Sequence, residues 1–415
     1  MIDYPNELDI IFNKLKNYST KIIIIGGYVR DRLLNIESKD IDIEVYGISS
    51  FDTLENILQE FGSVNNVGKS FGICKLSFEN YDLDFSLPRS DNKTGIGYTG
   101  FDIKINSNLD FKTASSRRDF TINAIGYDVE EKKLLDPFKG ADDLKNKVLR
   151  AVDNKTFIED PLRVLRAVQF YARFNLSIDD NLNNLCFKMV KEDKLSELPK
   201  ERIFEEIKKL LLKSQKPSLG FEFLKSLDAL KYFSHLSKLN NLEWNQIMTS
   251  LDKTTKLLTN NQKTNLVIML AVLSYKFNES EIKEFIFNLS SQKELPLRVV
   301  PLVKNLKTLE NINITMPDDY FLYKLATKVS IKEVLILCEA FFGFGNDLKI
   351  RAKELNIYTK KMQAILQGKD LLKLKLTPSS EFSYILDRAY DAQMHSEFSS
   401  YDEAIKWLKK DLSLH

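Results

Sequence analysis

The sequence predicts an α+β domain at the amino-terminal end and helix from there to the carboxyl terminus. Up to about Val152, short strand-like runs (KIIII, DIDIEVYG, ICKLSFE, LDFSLP) mix with short helices, in the part of the chain that holds much of the glycine. From Asp153 onward strand patterns nearly vanish and apolar residues recur at helical spacing, as in Ile203, Ile207, Leu210 and Leu211 or Leu371, Leu372 and Leu374. No fixed-period repeat is evident, and Pro217 with Ser218, then Pro296 and Pro301, are the expected joints. They divide the chain at 1–152, 153–215, 216–300 and 301–415.

Composition narrows the class. The chain has 415 residues with 43% hydrophobic content, enough for a large core or several domains. Its net charge is only +2 on 60 basic and 58 acidic side chains, so a nucleic acid partner has to be held by local basic patches. Cys74, Cys186 and Cys338 are far apart without a CxxC pair, which argues against a zinc site or a disulfide framework and fits a reducing cytoplasm. The start, MIDYPNELDIIFNKLK, lacks a basic segment followed by an apolar run, and LVIMLAVL (266–273) is too short to span a bilayer. A soluble cytoplasmic protein with no membrane association is expected.

Taken in order, KIIII is a strand followed by Gly26 and Gly27 and a helix, VRDRLL. Glycines let backbone N–H groups approach a phosphate, and the start of a helix favours negative charge. A dinucleotide turn is the alternative, but GxGxxG is absent, and Arg30 suits gripping a triphosphate by charge-assisted hydrogen bonds.

In DIDIEVYG, Ile41, Ile43 and Val45 alternate with Asp40, Asp42 and Glu44. Same-face acids about 7 Å apart along a strand repel unless a cation lies between them. Two hard oxygen ligands on a rigid strand suit Mg²⁺, which keeps waters and takes further ligands from substrate phosphates, so a nucleoside triphosphate is the expected guest. The plain alternative is an exposed edge with solvated acids. YDLDFSLPR adds Asp82 and Asp84 on one face of a further strand; Asp84 is the expected third carboxylate, and Asp82 either shares that role or only faces water. Arg117, Arg118 and Asp119 in SSRRDFTINAIGYD read in isolation as a charged helix end.

The order GGYVRD, DIDIEVYG, LDFSLPR, RRDFTINA, DPFKGADDL, EDPLRVLRAVQFYARF and ELPKERIFEEIKKLL, over roughly the first half of the chain, resembles the class II tRNA nucleotidyltransferases (CCA-adding enzymes) and their relatives, the bacterial poly(A) polymerases. The resemblance implies a polymerase-beta-like nucleotidyltransferase head (1–152), then an all-helical neck (153–215), body (216–300) and tail (301–415). It implies two Mg²⁺ ions on Asp40 and Asp42, with tRNA, CTP and ATP as partners and no obligate protein partner. By the same resemblance Arg118, Asp119 and Asn123 contact the sugar and phosphates of the incoming nucleotide.

EDPLR (159–163) matches the family's nucleotide-selecting motif, EDxxR. Asp160 and Arg163, three apart, are expected on one helical face, an acceptor beside a donor fork. Cytosine and adenine both offer an exocyclic amino donor beside a ring nitrogen acceptor; uracil and guanine offer the reverse order. A helix-start carboxylate with a salt bridge is the alternative for the isolated segment. Glu159 is expected to orient Arg163, and Arg166 to meet phosphate. DPFKGADDL matches a hinge motif or, more plainly, a loop capping a helix, and ELPKERIFEEIKKLL braces the neck without a chemical role.

SDNKTGIGYTG lies where the family carries the loop for switching from C to A, and the segment around QGKDLL resembles the tail of CCA-adding enzymes, with serines in place of the usual glycines. Both favour CCA addition over A-only addition or poly(A) synthesis. A non-catalytic RNA-binding protein is the remaining alternative, and the intact carboxylates argue against it. Lys349 to Lys375 holds eight basic residues against Glu354 and Asp370, either a tRNA backbone surface or a solvated helix face. With only His235, His395 and His415, an HD-type phosphohydrolase site is not expected.

Overall fold

The structure, a computed structural model, describes residues 2–65, 72–93, 101–310 and 317–412. The chain packs as two compact units, Met1–Phe233 and Ser234–His415.

The first unit is built on strands β1 (Lys21–Ile25), β2 (Asp40–Tyr46), β3 (Val64–Asn65), β4 (Ile73–Phe78), β5 (Tyr81–Ser86), β6 (Arg89–Lys93), β7 (Phe101–Ile105), β8 (Gly126–Asp128) and β9 (Lys133–Leu135). Seven of them form one sheet in the order β3-β4-β5-β2-β1-β8-β9, while β6 and β7 form a separate hairpin. β1 lies inside the sheet with Ile22 to Ile25 all buried, as expected of an apolar run covered on both faces. β2 and β5 run parallel, pairing Ile41 with Leu83 and Ile43 with Phe85, and these four side chains are buried. Their alternates on the opposite face are the acids.

Beyond the sheet, the helix Leu162–Phe174 packs on Lys200–Lys213 and Pro217–Ser226, with Val168 and Leu210 meeting around Gly220. The α+β head and the helical remainder agree with the expected fold class. In DPFKGADDL, Asp136 accepts hydrogen bonds from the N–H groups of Gly140 (2.7 Å) and Ala141 (2.9 Å), capping the helix Gly140–Lys145. The capping alternative is thus what this segment does locally.

The second unit is helical throughout its described residues. Its helix Gln262–Leu273 is buried on every side from Asn265 to Leu273, the environment an all-round apolar helix requires. Among the described residues no helix is long and apolar enough to cross a membrane. The expected joint at Pro296 and Pro301 falls inside one helix, Glu294–Glu310. An internal proline costs about 3 kcal/mol, whereas burying each large apolar side chain contributes about 1.5–3 kcal/mol. Leu295, Val299, Leu302, Val303 and Leu306 therefore hold the helix through the break.

In the basic stretch, Arg351 binds Asp319 and Glu354, and Lys373 binds Asp370, so part of its charge is neutralised within the unit. The aspartate of the QGKDLL segment, Asp370, is buried; it accepts from the Gln367 N–H and from Tyr401 Oη. His235 packs against Phe277 and Phe285, and His395 stacks on Tyr320.

A Cβ added at Gly140 would overlap the Thr121 carbonyl, a backbone group with no room to retreat. Gly140→Ala is therefore expected to destabilise the first unit by about 3 kcal/mol, seen as a melting temperature lower by several degrees in thermal denaturation.

Candidate active site

The acids of β2 lie on the exposed face that their alternation predicts. Asp40 and Asp42 both open onto a cavity of about 540 Å³, shared with Asp82, Asp84, Lys75 and Ser77. The parallel register sets Asp40 beside Asp82 and Asp42 beside Asp84, so two pairs of carboxylates face each other across strands about 5 Å apart. Asp82 is exposed and accepts from Ser77 Oγ at 3.2 Å; Asp84 is half-buried and meets Lys75 Nζ at 2.7 Å. Both candidates for the third carboxylate thus share the groove, and Asp84 is the one beside Asp42.

Asp42 lies on the floor of this groove, enclosed by protein although its surface reaches solvent. Burial is the main cause that pushes its carboxyl above the usual range; Asp84 and Asp40 add to the rise, and Arg118 and Lys75 oppose it. Glu44, the third acid of the alternation, is buried instead, accepting from Tyr46 Oη at 2.6 Å and facing Arg117 at 3.6 Å.

The donor set fits a divalent cation. Hard carboxylate oxygens converge on an open groove, and the acids repel one another without positive charge between them. Among the described residues no group of three or more His, Cys, Asp or Glu side chains is placed to hold a metal ion by itself. Two carboxylates with room for water and phosphate is the arrangement Mg²⁺ favours.

Above this floor stands the turn after β1. Gly26 has φ +66°, which is what requires glycine there; a side chain would also meet the Arg118 guanidinium at Nη1, a mobile group that can shift aside. The helix Gly27–Leu33 follows and carries Arg30 inward. Arg30 is only 5% exposed: its guanidinium donates to Asp31 (2.8 Å) and to Asn123 Oδ1 (2.5 Å), with Phe170 and Phe174 beneath it. This departs from the expected guanidinium open to a triphosphate. Asp31, its sequence neighbour, and the aromatic pair from a distant helix draw it into the interior.

Asn123 and Asp119 continue the same buried frame. Asn123 Nδ2 donates to Asp119 Oδ1 (3.0 Å), which also accepts from the Phe120 N–H, while Asp119 Oδ2 accepts from Arg166 Nε at 2.6 Å. Burial alone would raise the Asp119 carboxyl, but Arg166, Asn123 and Arg163 outweigh it and hold the carboxyl below the usual range. Its acceptors are engaged inside the protein, where the sequence predicts one facing a ribose. Arg118, half-buried, donates to the Asn123 carbonyl at 3.3 Å and lies close enough to influence Asp42, so it links this frame to the carboxylate floor.

Asp160 and Arg163 do not share a helical face as expected, because the helix begins at Leu162. Asp160 precedes it, accepting from the Leu162 N–H (3.0 Å) and facing Arg202 at 3.4 Å. Arg163 donates to the carbonyls of Thr156 (2.9 Å) and Arg117 (2.6 Å). Those bonds use two of the five N–H donors of a guanidinium and set its plane. Two residues given no role by the sequence, Arg202 and Glu206, support the motif from the helix Lys200–Lys213: Arg202 faces Asp160, and buried Glu206 faces Arg166 at 3.9 Å. Their i,i+4 spacing was the available signal. The SDNKTGIGYTG segment (90–100) begins in β6, and its residues 94–100 lie outside the described residues.

Residues 22–150 match the family model described as "Poly A polymerase head domain", and residues 175–239 the one described as "Probable RNA and SrmB- binding site of polymerase A". The multifunctional CCA protein of Pseudoalteromonas atlantica is 37% identical over 220 residues, covering 52% of each chain. The CCA-adding enzyme of Buchnera aphidicola subsp. Schizaphis graminum is 38% identical over 215 residues, covering 51% of this chain and 50% of its own length. The chain thus spans about half the length of the curated relatives it matches. Among solved structures, the Thermotoga maritima CCA-adding enzyme complexed with tRNA superposes with a TM-score of 0.68 at 21% identity, covering 99% of this chain and 97% of the other. A CCA-adding enzyme with CTP superposes with a TM-score of 0.71 at 22% identity, covering 99% and 96%. The likeness of fold thus covers nearly the whole chain, at 21–22% identity. Residues 22–150 thus resemble a poly(A) polymerase head domain, followed at 175–239 by a segment resembling the RNA-binding part of the same polymerases, and the fold over nearly the whole chain is that of the CCA-adding enzymes.

Proposed function

We propose that this protein is a cytoplasmic CCA tRNA nucleotidyltransferase, adding C, C and A to tRNA 3′ ends from CTP and ATP without a nucleic acid template. The observation that carries the reading is the pairing of Asp40 and Asp42 with Asp84 on the open face of a family head domain. The names of the relatives, and the tRNA and CTP in the related structures, support the substrates.

Asp40 and Asp42, with Asp84 beside them, hold Mg²⁺ in this reading. The ion supplies positive charge for attack of the primer 3′-hydroxyl on the α-phosphate and for the leaving pyrophosphate. The turn at Gly26 presents the Gly27 N–H to the triphosphate, the Gly26 N–H itself being held by the Ile125 carbonyl at 3.0 Å, and Arg118 and Arg166 contribute charge from its flank. Arg30, Asp119 and Asn123 act as positioning residues. Asp160 and Arg163 present an oriented acceptor and donor that match the Watson–Crick edges of cytosine and adenine and oppose those of uracil and guanine. The helical segments after residue 152 serve as neck, body and tail, with the tail holding tRNA.

A tRNA transcript ending at the discriminator base is the direct test. CTP alone should add two nucleotides, CTP with ATP three, and ATP alone none; indefinite extension with ATP would instead identify a poly(A) polymerase. Asp42→Asn should lower incorporation by at least about 10³-fold. It should also leave the metal-free melting temperature no lower than the parent's, because it removes a carboxylate that Asp40 and Asp84 repel. Arg163→Ala should reduce the preference for CTP over UTP by about 10–100-fold in kcat/KM, with a lower melting temperature because the carbonyls of Thr156 and Arg117 lose their donor; Arg163→Lys, which keeps a donor, separates the two effects.

A further inference from the structure

Lys75 stands on β4 directly across from Asp84, and its ammonium meets Asp84 Oδ2 at 2.7 Å. Among the described residues lining the groove it is the one cation, against the carboxylates of Asp40, Asp42, Asp82 and Asp84. Its neighbour on the same face of β4, Ser77, donates to Asp82, so each acid of β5 has one partner from β4 while the acids of β2 face the open groove. The Lys75 side chain is 53% exposed. A single ammonium–carboxylate contact at that exposure is worth about 0–1 kcal/mol and is readily exchanged. Lysine is also the residue suited to leaving: a compact charge on a flexible stem, without the two-pronged grip of arginine.

We propose that Lys75 is a resident counter-cation of the carboxylate groove, holding Asp84 until a divalent ion exchanges with its ammonium. The proposal rests on the reading of the groove as a divalent-cation site. It accounts for how four carboxylates coexist on one sheet face before metal arrives. It also has a definite consequence: the ammonium competes with the incoming ion, so the ion binds more weakly than the acids alone would allow. When the ion takes Asp84, the freed ammonium remains at the wall of the groove, a mobile charge where phosphate oxygens enter.

The test is Mn²⁺ binding to the full-length protein without nucleotide or RNA, followed by the electron paramagnetic resonance signal of the free ion. Lys75→Met keeps the stem and removes the charge. It should bind Mn²⁺ about tenfold more tightly than the parent, the effect of removing one unit charge about 6 Å from a divalent ion in a water-like dielectric. Lys75→Arg keeps the charge and should bind no more tightly than the parent. Without metal, Lys75→Met should melt below the parent and recover on adding Mn²⁺. Equal or weaker Mn²⁺ binding by Lys75→Met, with the parent binding normally, overturns the counter-cation role and leaves the cation site standing. Absence of Mn²⁺ binding by parent and variant alike overturns the cation site itself.

Discussion

Parallel pairing of β2 with β5 is the constraint on which the site depends, because it places carboxylates side by side across two strands. The energies decide whether it holds. Neighbouring carboxylates at about 5–7 Å in a water-like dielectric repel by about 1 kcal/mol a pair. On the other face Ile41, Ile43, Leu83 and Phe85 are buried, each contributing about 1.5–3 kcal/mol. A one-residue slip of either strand would send its apolar set to water and its acids to the core, so the apolar face enforces the register that the acidic face resists. The site is stressed locally and held by the interior behind it.

A second arrangement ties the carboxylate floor to the helices. Arg30, Asn123, Asp119 and Arg166 form a continuous buried chain of hydrogen bonds, with Glu206 facing its far end. Such a chain adds little net stability when complete, since desolvation offsets most of the attraction, but breaking a buried pair costs about 3–5 kcal/mol. It therefore makes alternative placements of the helix Leu162–Phe174 costly. The side chains expected to touch nucleotide directly are in part the ones that fix where nucleotide-facing groups stand.

Much of this was legible locally. KIIII, DIDIEVY, ICKLSF and YDLDFS are strands where their apolar patterning places them, and the exposure of Asp40 and Asp42 follows from the alternation. Glu44 breaks the same alternation, being buried through Tyr46 and Arg117, because a strand period says which side a residue faces and not how deep that side lies. The β6–β7 hairpin was not foreseen: β6, RSDNK, is polar and reads as loop, whereas β7, FDIKI, alternates apolar and polar residues and was the available signal. Pro301 misled for the opposite reason: a strong local breaker yielded to the burial of its helix.

What the sequence by itself determined is the class of chemistry: paired acids at strand spacing, glycines before a helix, and an ordered set of motifs whose spacing along the chain survives without coordinates. Which guanidinium stays open to solvent and which is enclosed was decided only by tertiary structure. Arg30 is drawn inward by Phe170 and Phe174, Asp160 turns to Arg202, and Asp84 is met by Lys75. Period and propensity act over a few neighbouring residues. The partner of a charged side chain is chosen by whatever distant segment the fold brings within about 4 Å.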